Sequence, residues 1–577
     1  MPTTASPPPR VTELADAYMK AWLAAFPENA TVFSIPDARH DRLTDNSPAA
    51  LRAWHKVEDD LAARLGDIDA DSLWGSPEWV TYGFLREALE ASRGLRVCRN
   101  ELWPVNQMTG WQTQIAMLGS GQPVGTLDLR SQALARWRTL PRYLDTEIAN
   151  LREGVRLGYS TPKRNVRLVI EQLDALLAVP VRESPFYGPA AHDGDPAFQK
   201  AWEELVRDGI QPAVRRYRDY LRDEYLAAAR EEQALAAIPD GERCYAASLR
   251  HYTTVEISPR EVYERGLRMI EEREARMKEI GRKVYGTDDL AEIRQRLRDD
   301  KASRFTSREE ILSYSGAAVE RARAAVGGWF GRLPEADVVL KPEPQFQEKG
   351  GSSRYLPGAE DGSRPGTYQI NLYNPEDQNR GQAETAAFHE TWPGHHLQIA
   401  LAQERPEAHP ITRYLWSTGF AEGWARYAET LAGEMGLYSS DLNRLYMISA
   451  LPRGMVVDPG LHVLGWSREQ AIEYTLSKQG GMSPEQAASY VDRVYVLPAQ
   501  MTTYGLGEQE ILALRDRARQ ALGDRFDLRE FHDRVLENGV ITLGMLREVV
   551  ERWIAEKRLT SASSAPPPLG ASFDSPH

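Results

Sequence analysis

The sequence has few cysteines and no long apolar run, and each shortage excludes a class of protein. Only two cysteines, Cys98 and Cys244, occur in 577 residues, so a disulfide-dense secreted scaffold is excluded. We expect two buried thiols, which stand too far apart in the sequence to indicate a zinc site. No stretch approaches the roughly 18–20 uninterrupted apolar residues of a membrane span, so no membrane partner is expected.

An excess of positive charge is also lacking. Lys and Arg number 70 against 83 Asp and Glu, which gives a formal net charge of −13. Nucleic-acid binding needs a basic footprint, so no nucleic-acid partner is expected. Residues 1–10 contain four prolines but no basic segment followed by an apolar one. We therefore expect no secretory signal, and the cytoplasm is the predicted compartment.

The composition is that of a globular protein, with 42% hydrophobic and 27% charged residues. Apolar residues recur at steps of three and four, as on one face of a helix. One such stripe consists of Val214, Tyr217, Leu221 and Tyr225. The sequence predicts a mainly α protein with one helical domain over residues 11–558, which could form two lobes around a cleft. The ends, residues 1–10 and 559–577, are predicted to be disordered because they lack apolar residues.

One region departs from the helical pattern. Residues 342–375 are rich in Gly, Pro and Ser, and within them Tyr368, Ile370 and Leu372 alternate with more polar residues. This alternation predicts a half-buried strand in a small sheet near residues 340–375. Such a strand could pair with the backbone of an extended peptide.

Histidine is scarce but clustered. Of 11 histidines, His389, His395 and His396 fall within eight positions, and Glu390 follows the first. Zinc peptidases often carry H-E-x-x-H on a helix, where two imidazoles one turn apart bind the metal and the Glu acts on its water. Here Pro393 takes the place of the second histidine. We therefore expect a helix carrying His389 and Glu390 that is interrupted soon afterwards.

The interruption leaves the second ligand open. Six residues along an unbroken helix would turn the next imidazole about 120° away from the first. A two-residue bulge at Trp392-Pro393 would bring His395 into place, and a three-residue bulge would select His396 instead. Proline followed by glycine suits a distorted helical turn.

A carboxylate farther along the chain is the natural third ligand. Glu422 and Glu429 are seven residues apart in a helical stretch, so they share one face. Either of them could bind the metal or support a residue that does.

These residues belong to a longer pattern. The chain resembles the bacterial domain-of-unknown-function family 885 (DUF885) over about residues 12–555. The motifs that carry this resemblance are His389-Glu390-x-x-Pro393-Gly394-His395-His396-x-Gln398, Glu422-Gly423-Trp424-Ala425, Asp458-x-Gly460-Leu461-His462 and Pro498-x-Gln500-x-x-x-Tyr504-x-x-Gly507.

The resemblance implies a large helical fold with a deep central cleft. It is similar to thermostable bacterial carboxypeptidases and, more distantly, to angiotensin-converting and thimet-type peptidases. Those enzymes bind zinc through H-E-x-G-H and a later glutamate. One zinc ion per chain would then be held by His389, His395 and Glu422, with Glu390 as the general base.

In such enzymes a tyrosine or histidine from a later segment steadies the tetrahedral intermediate. Tyr504 is the matching candidate here, with His462 behind it. The chain departs from the family pattern near this point, because Pro498-Ala499-Gln500 stands where Pro-Gly-Gln is expected and Gly505 stands where lysine is common. These changes put the choice of substrate in doubt more than the binding of metal.

The leading hypothesis is a zinc-dependent hydrolase of peptide or amide bonds that acts on short peptides as a carboxypeptidase, aminopeptidase or dipeptidase. A second hypothesis is a metal-dependent biosynthetic enzyme that hydrolyses, cyclises or rearranges one amino-acid-like metabolite. A third is a scaffold that binds peptides without turnover. A monomer or a homodimer is expected.

Overall fold

A computed structural model describes residues 10–343, 348, 352–359, 364–479 and 482–562. Residues 1–9 and 563–577, which make up most of the two ends predicted to be disordered, lie outside the described residues. The chain divides into two compact units. The first comprises Met1–Asp300, Glu407–Thr418 and Ile448–Leu506, and the second comprises Lys301–Pro406, Gly419–Met447 and Gly507–His577.

The fold is mainly α, as the composition and periodicity predict. The α-helices are Val11–Ala25, Asn29–Val32, Pro48–Gly66, Pro77–Leu95, Trp111–Gly121, Leu127–Trp137, Leu140–Arg156, Lys163–Ala178, Gly188–Ala191, Pro196–Leu205, Gln211–Tyr220, Leu226–Ala228, Gly241–Thr253, Pro259–Tyr285, Leu290–Asp299, Arg308–Ala325, Arg380–Glu390, His395–Gln403, Ile411–Tyr414, Thr418–Glu434, Asp441–Ser449, Gly454–His462, Arg468–Lys478, Pro484–Val496, Thr503–Leu522, Leu528–Leu536 and Leu543–Ala562. Short π-helical segments are Val206–Ile210 and Leu221–Tyr225. Within the described residues, none of these helices is both long and apolar enough to span a membrane.

Several helices begin where the sequence places a cap. The Ser258 hydroxyl accepts a hydrogen bond from the Glu261 amide, and Pro259 occupies the first helical position. Ser483 and Gln486 form a reciprocal capping box at the start of Pro484–Val496. These local signals fix where the helices start, and tertiary packing then stabilises them.

The first unit buries the predicted apolar stripe. Val214, Tyr217, Leu221 and Tyr225 are each at most 1% exposed and belong to one hydrophobic cluster. The stripe crosses the π-helical segment that begins at Leu221, where the wider turn changes the helical register. The periodicity therefore predicted the buried face correctly, although the helix is not regular along it.

The two cysteines are not free thiols, so that prediction is wrong. Cys98 and Cys244 form a disulfide with an S–S distance of 2.10 Å. Cys98 ends the 3₁₀ turn Arg96–Cys98, and Cys244 lies on the helix Gly241–Thr253, which packs against that turn. The contact joins residues 146 positions apart, and such a distant tertiary contact leaves no trace in the local pattern.

The second unit contains the predicted small sheet. Its strands are β1 (Val338–Pro342), β2 (Arg354–Leu356) and β3 (Gly366–Ile370) in the order β1-β3-β2. Strand β3 pairs parallel with β1 and antiparallel with β2. Both edges of β3 are therefore occupied, and the expectation that this strand pairs with a peptide is wrong.

Candidate metal centre

The centre is built on three helices of the second unit, Arg380–Glu390, His395–Gln403 and Thr418–Glu434, which we call the first, second and third site helices. The first site helix starts at the side chain of Asn379, which accepts a hydrogen bond from the Gln382 amide. It carries His389 and Glu390 in its last turn, as predicted. The chain then breaks at Thr391 and resumes as a helix at His395.

A four-residue turn, Thr391–Gly394, takes the place of the predicted bulge. It contains a cis peptide bond between Trp392 and Pro393. A β-carbon at Gly394 would lie 1.9 Å from the His389 carbonyl oxygen, so only glycine fits this turn. The turn folds the chain back on the end of the first site helix, and this return brings His395 beside His389.

The third site helix holds this turn in place. The indole nitrogen of Trp424 donates a hydrogen bond of 3.0 Å to the Pro393 carbonyl, and Trp424 is fully buried. Glu422 lies two residues before this anchor. The break in the helix and the third ligand are therefore positioned by one contact.

His389, His395 and Glu422 form one cluster, with a ligand atom from each lying within 4.8 Å of the others. The Nε2 atoms of both histidines are 3.6 Å from Glu422 Oε2. Ligands about 2.0–2.1 Å from a tetrahedral zinc lie about 3.3–3.4 Å from one another, so a small shift completes the geometry. The three side chains are 13–22% exposed, so a small molecule can reach them.

The other nitrogen of His389 faces a second carboxylate. His389 Nδ1 lies 2.8 Å from Glu429 Oε1, and Arg426 Nη1 lies 2.5 Å from the other oxygen of Glu429. Nδ1–H therefore donates to Glu429, which fixes the ring with Nε2 directed at the cluster. Of the two glutamates that the spacing offered, Glu422 lies in the cluster and Glu429 supports one of its members.

The charges of the cluster depend on one another. Burial alone lowers the pKa of His389, but hydrogen bonding to Glu422 and Glu429 raises it to about 10. Burial favours the neutral acid of Glu422, but the two imidazoles hold the pKa of that carboxyl well below its usual range. The carboxylates thus stabilise positive charge between the three ligand atoms, which is what a bound cation requires.

Glu390 is held by the sheet. Its Oε2 accepts a hydrogen bond of 2.8 Å from the Tyr355 amide in the edge strand β2. The other carboxylate oxygen can accept a further hydrogen bond. Sequence reasoning missed Tyr355, because its amide acts through main-chain geometry rather than through a motif.

His396, the alternative second ligand, does not join the cluster. Its Nδ1 lies 3.1 Å from the Tyr355 hydroxyl and its Nε2 lies 3.2 Å from the Ala336 carbonyl. Burial lowers the pKa of His396 to about 4. Both nitrogens of His396 therefore make hydrogen bonds that connect the second site helix to residues in and next to the sheet.

The two later candidates, His462 and Tyr504, belong to the first unit. His462 is 1% exposed; it accepts a hydrogen bond from the Leu235 amide and donates one to the Val494 carbonyl. Both ring nitrogens are thus used in hydrogen bonds to the backbone, as in a structural histidine, and this is contrary to the predicted catalytic role. Tyr504 is half-buried at the second position of the helix Thr503–Leu522.

Comparison with known proteins agrees with the family motifs. The chain matches the family described as "Bacterial protein of unknown function (DUF885)" over residues 27–550. The protein belongs to this family. No curated protein matches the chain.

Two solved structures are similar to this chain. One is of a "putative lipoprotein" from Colwellia psychrerythraea, with a TM-score of 0.84, 25% identity, and coverage of 95% of this chain and 100% of that one. The other is of a "putative lipoprotein of unknown function" from Shewanella oneidensis, with a TM-score of 0.78, 19% identity and the same coverage. Both likenesses extend over nearly the whole chain, so they support the fold of both units.

Proposed function

We propose that this DUF885 protein is a zinc-dependent hydrolase of peptide or amide bonds, with one zinc ion per chain. The observation that carries the proposal is the convergence of His389, His395 and Glu422 beside Glu390. Two histidines and a glutamate form a known catalytic zinc set that leaves the fourth position open.

The surroundings fit this metal in two further respects. A metal-binding histidine usually donates its second N–H to a carboxylate or a carbonyl, and His389 does so to Glu429. The buried pair of Arg426 and Glu429 keeps that carboxylate fixed. These contacts support a site that is already organised for the metal.

The roles of the protein's own residues follow from their positions. When bound, zinc would polarise the scissile carbonyl and lower the pKa of its water toward about 7. Glu390 takes the proton of the attacking water on its free oxygen and passes it to the leaving amine. The Tyr355 amide keeps Glu390 in place through this transfer, because it binds the other oxygen. The family resemblance, and not a position in the structure, makes Tyr504 the proposed donor to the developing oxyanion.

Short peptides are the proposed substrates, and carboxypeptidase, aminopeptidase and dipeptidase activities all fit this proposal. The basis is the resemblance to thermostable carboxypeptidases and related helical zinc peptidases, whose deep central cleft admits small substrates. A monomer or a homodimer without nucleic-acid or membrane partners stays the prediction for the assembly.

One observation favours the alternative of a dedicated biosynthetic enzyme. Ala499, which replaces the glycine of the family's late motif, has a φ of +71°, a conformation that glycine adopts more readily. A strained alanine at this turn is the observation behind the alternative, in which the protein acts on one amino-acid-like metabolite. The third alternative, a peptide-binding scaffold, would not need an intact Glu390.

Metal analysis of the purified protein tests the proposal. We expect about one zinc per chain by elemental analysis, lost in His389→Ala and retained in His192→Ala, whose histidine is exposed in the first unit. Glu390→Gln should keep the zinc and lower the hydrolysis of short peptides by at least about 100-fold. A zinc-free protein after reconstitution would refute the proposal, and full activity of Glu390→Gln would refute the assigned base.

A further inference from the structure

The first unit contains a cavity with no part in the metal centre described above. Its volume is about 330 Å³, and all fourteen residues that line it belong to the first unit. Small-molecule sites begin at about 300 Å³, and one water takes about 30 Å³ of liquid, so the cavity has room for a compact organic molecule.

The lining carries no formal charge. Among its fourteen residues there is no Asp, Glu, Lys or Arg, whereas the 27% charged fraction of the chain would place about four there. His251 is the one basic side chain, and burial together with Arg250 lowers its pKa, so the imidazole is neutral at pH 7. A charged ligand would lose its hydration without gaining an ionic partner, and this loss favours an uncharged one.

Aromatic rings form part of the wall. Trp103 is fixed by a hydrogen bond of 2.9 Å from its indole nitrogen to the Cys98 carbonyl, and the Arg230 guanidinium lies 5.5 Å from its ring centroid. The rings of His251 and Tyr252, which also line the cavity, lie 4.9 Å apart. These rings suit an aromatic ligand, which gains from edge or offset contacts.

The wall is held rigid by covalent and polar contacts. Cys244, Ser248 and Tyr252 recur at steps of four on the helix Gly241–Thr253, so they present one face to the cavity. The disulfide to Cys98 ties this helix to the segment that carries Trp103. A preorganised wall binds a ligand at a lower entropic cost.

Hydrogen-bonding groups remain for a ligand. Asn100 and Ser248 both line the cavity, and within the described part of the chain neither side chain hydrogen-bonds to another protein group. By contrast, Asn106 is engaged, because its carbonyl oxygen accepts from the Met108 and Thr109 amides. Asn100 and Ser248 are therefore the groups that can recognise polar atoms of a guest.

We propose that this cavity is a binding site for an uncharged small molecule that carries an aromatic ring and amide or hydroxyl groups. It is independent of the zinc site.

Three probes with one ring and different charges test the proposal by isothermal titration calorimetry. N-acetyl-tyrosinamide is neutral, N-acetyl-tyrosine is an anion and tyramine is a cation. The neutral probe should bind at least about tenfold more tightly than either charged one. His389→Ala should bind it equally well, which separates this result from any failure of the zinc proposal. Equal affinities for the three probes, or no binding of the neutral one, would overturn the proposal.

Two variants locate the binding site. Ser248→Leu fills the cavity and should lower the affinity for the neutral probe at least about tenfold. Ser313→Leu, which replaces an exposed serine on the helix Arg308–Ala325, should leave this affinity unchanged. If Ser248→Leu fails to fold, Asn100→Asp at the exposed rim serves instead. Asn100→Asp should raise the affinity for tyramine relative to the neutral probe. Unchanged relative affinities would mean that the probes bind elsewhere, and they would refute the cavity as the binding site.

Discussion

At the scale of single residues, the centre distinguishes two kinds of carboxylate. Glu422 lies 3.6 Å from the Nε2 atoms of both histidines, whereas Glu429 lies on the far side of His389, at its Nδ1. The spacing of seven residues predicted that both glutamates share a face. It could not separate their roles, because that depends on which nitrogen of His389 each one meets.

Substitution of Glu429 should therefore lower the affinity for zinc, although it removes none of the metal ligands. We expect Glu429→Ala to lower zinc affinity about 10–100-fold, because His389 loses the group that fixes its tautomer. Glu429→Gln should lose less, because its amide oxygen still accepts from Nδ1–H. Competition with a chromogenic chelator measures both affinities.

Glu434→Gln provides the control for this experiment. Glu434 lies on the same helix but pairs with Arg515, so zinc affinity should stay unchanged in this variant. An unchanged affinity in Glu429→Ala would show that the hydrogen bond to His389 does not organise the site.

At the scale of elements, the break between the first and second site helices decides which histidine joins the cluster. Proline and glycine in the sequence predicted an interruption, and the first site helix indeed ends at Glu390. The choice of His395 over His396 depends on where the next helix begins and on the distant contact from Trp424. Local sequence patterns contain neither of these features, so spacing alone left both histidines open, and only the family resemblance favoured His395.

Gly394→Ala tests this turn. The new β-carbon would meet the His389 carbonyl at 1.9 Å, so the turn must shift and carry His395 with it. We expect zinc affinity to fall at least about tenfold and the free energy of unfolding to fall by about 1–3 kcal/mol. Chelator competition and urea unfolding measure the two effects.

Gly94→Ala is the matched control, because nothing lies within 4 Å of its added β-carbon on the helix Pro77–Leu95. It should leave zinc affinity unchanged and raise stability by about 0.5–1 kcal/mol, as alanine does in a helix. If Gly394→Ala behaved in the same way, the turn would not be what positions His395.

At the scale of the whole molecule, composition and periodicity predicted the mainly α fold and the small sheet. They did not predict the disulfide, because helix stripes report which residues are buried and not which of them meet. The cytoplasm was predicted on the expectation that the chain carries no secretory signal. Disulfides persist chiefly in oxidising compartments, so the bond between Cys98 and Cys244 favours such a compartment over the cytoplasm.

The disulfide leads to a prediction about stability. It joins residues 146 positions apart within the first unit, and a cross-link of this kind typically contributes about 2–5 kcal/mol by restricting the unfolded chain. Cys98→Ala with Cys244→Ala should lower the free energy of unfolding by this amount, measured in urea. Wild-type protein in reductant should fall to the level of the double variant, which reductant leaves unchanged.

The same bond can be examined in cells. Alkylation of thiols before lysis, followed by mass spectrometry, should find Cys98 and Cys244 unmodified and joined if the protein resides in an oxidising compartment. Alkylation of both residues would support the cytoplasm as the compartment instead.

The zinc ligands are histidines and a carboxylate of the second unit, so zinc content should be the same whether the disulfide is present or absent. A loss of zinc on reduction would contradict this separation, because it would mean that the cross-link of the first unit supports the metal centre of the second.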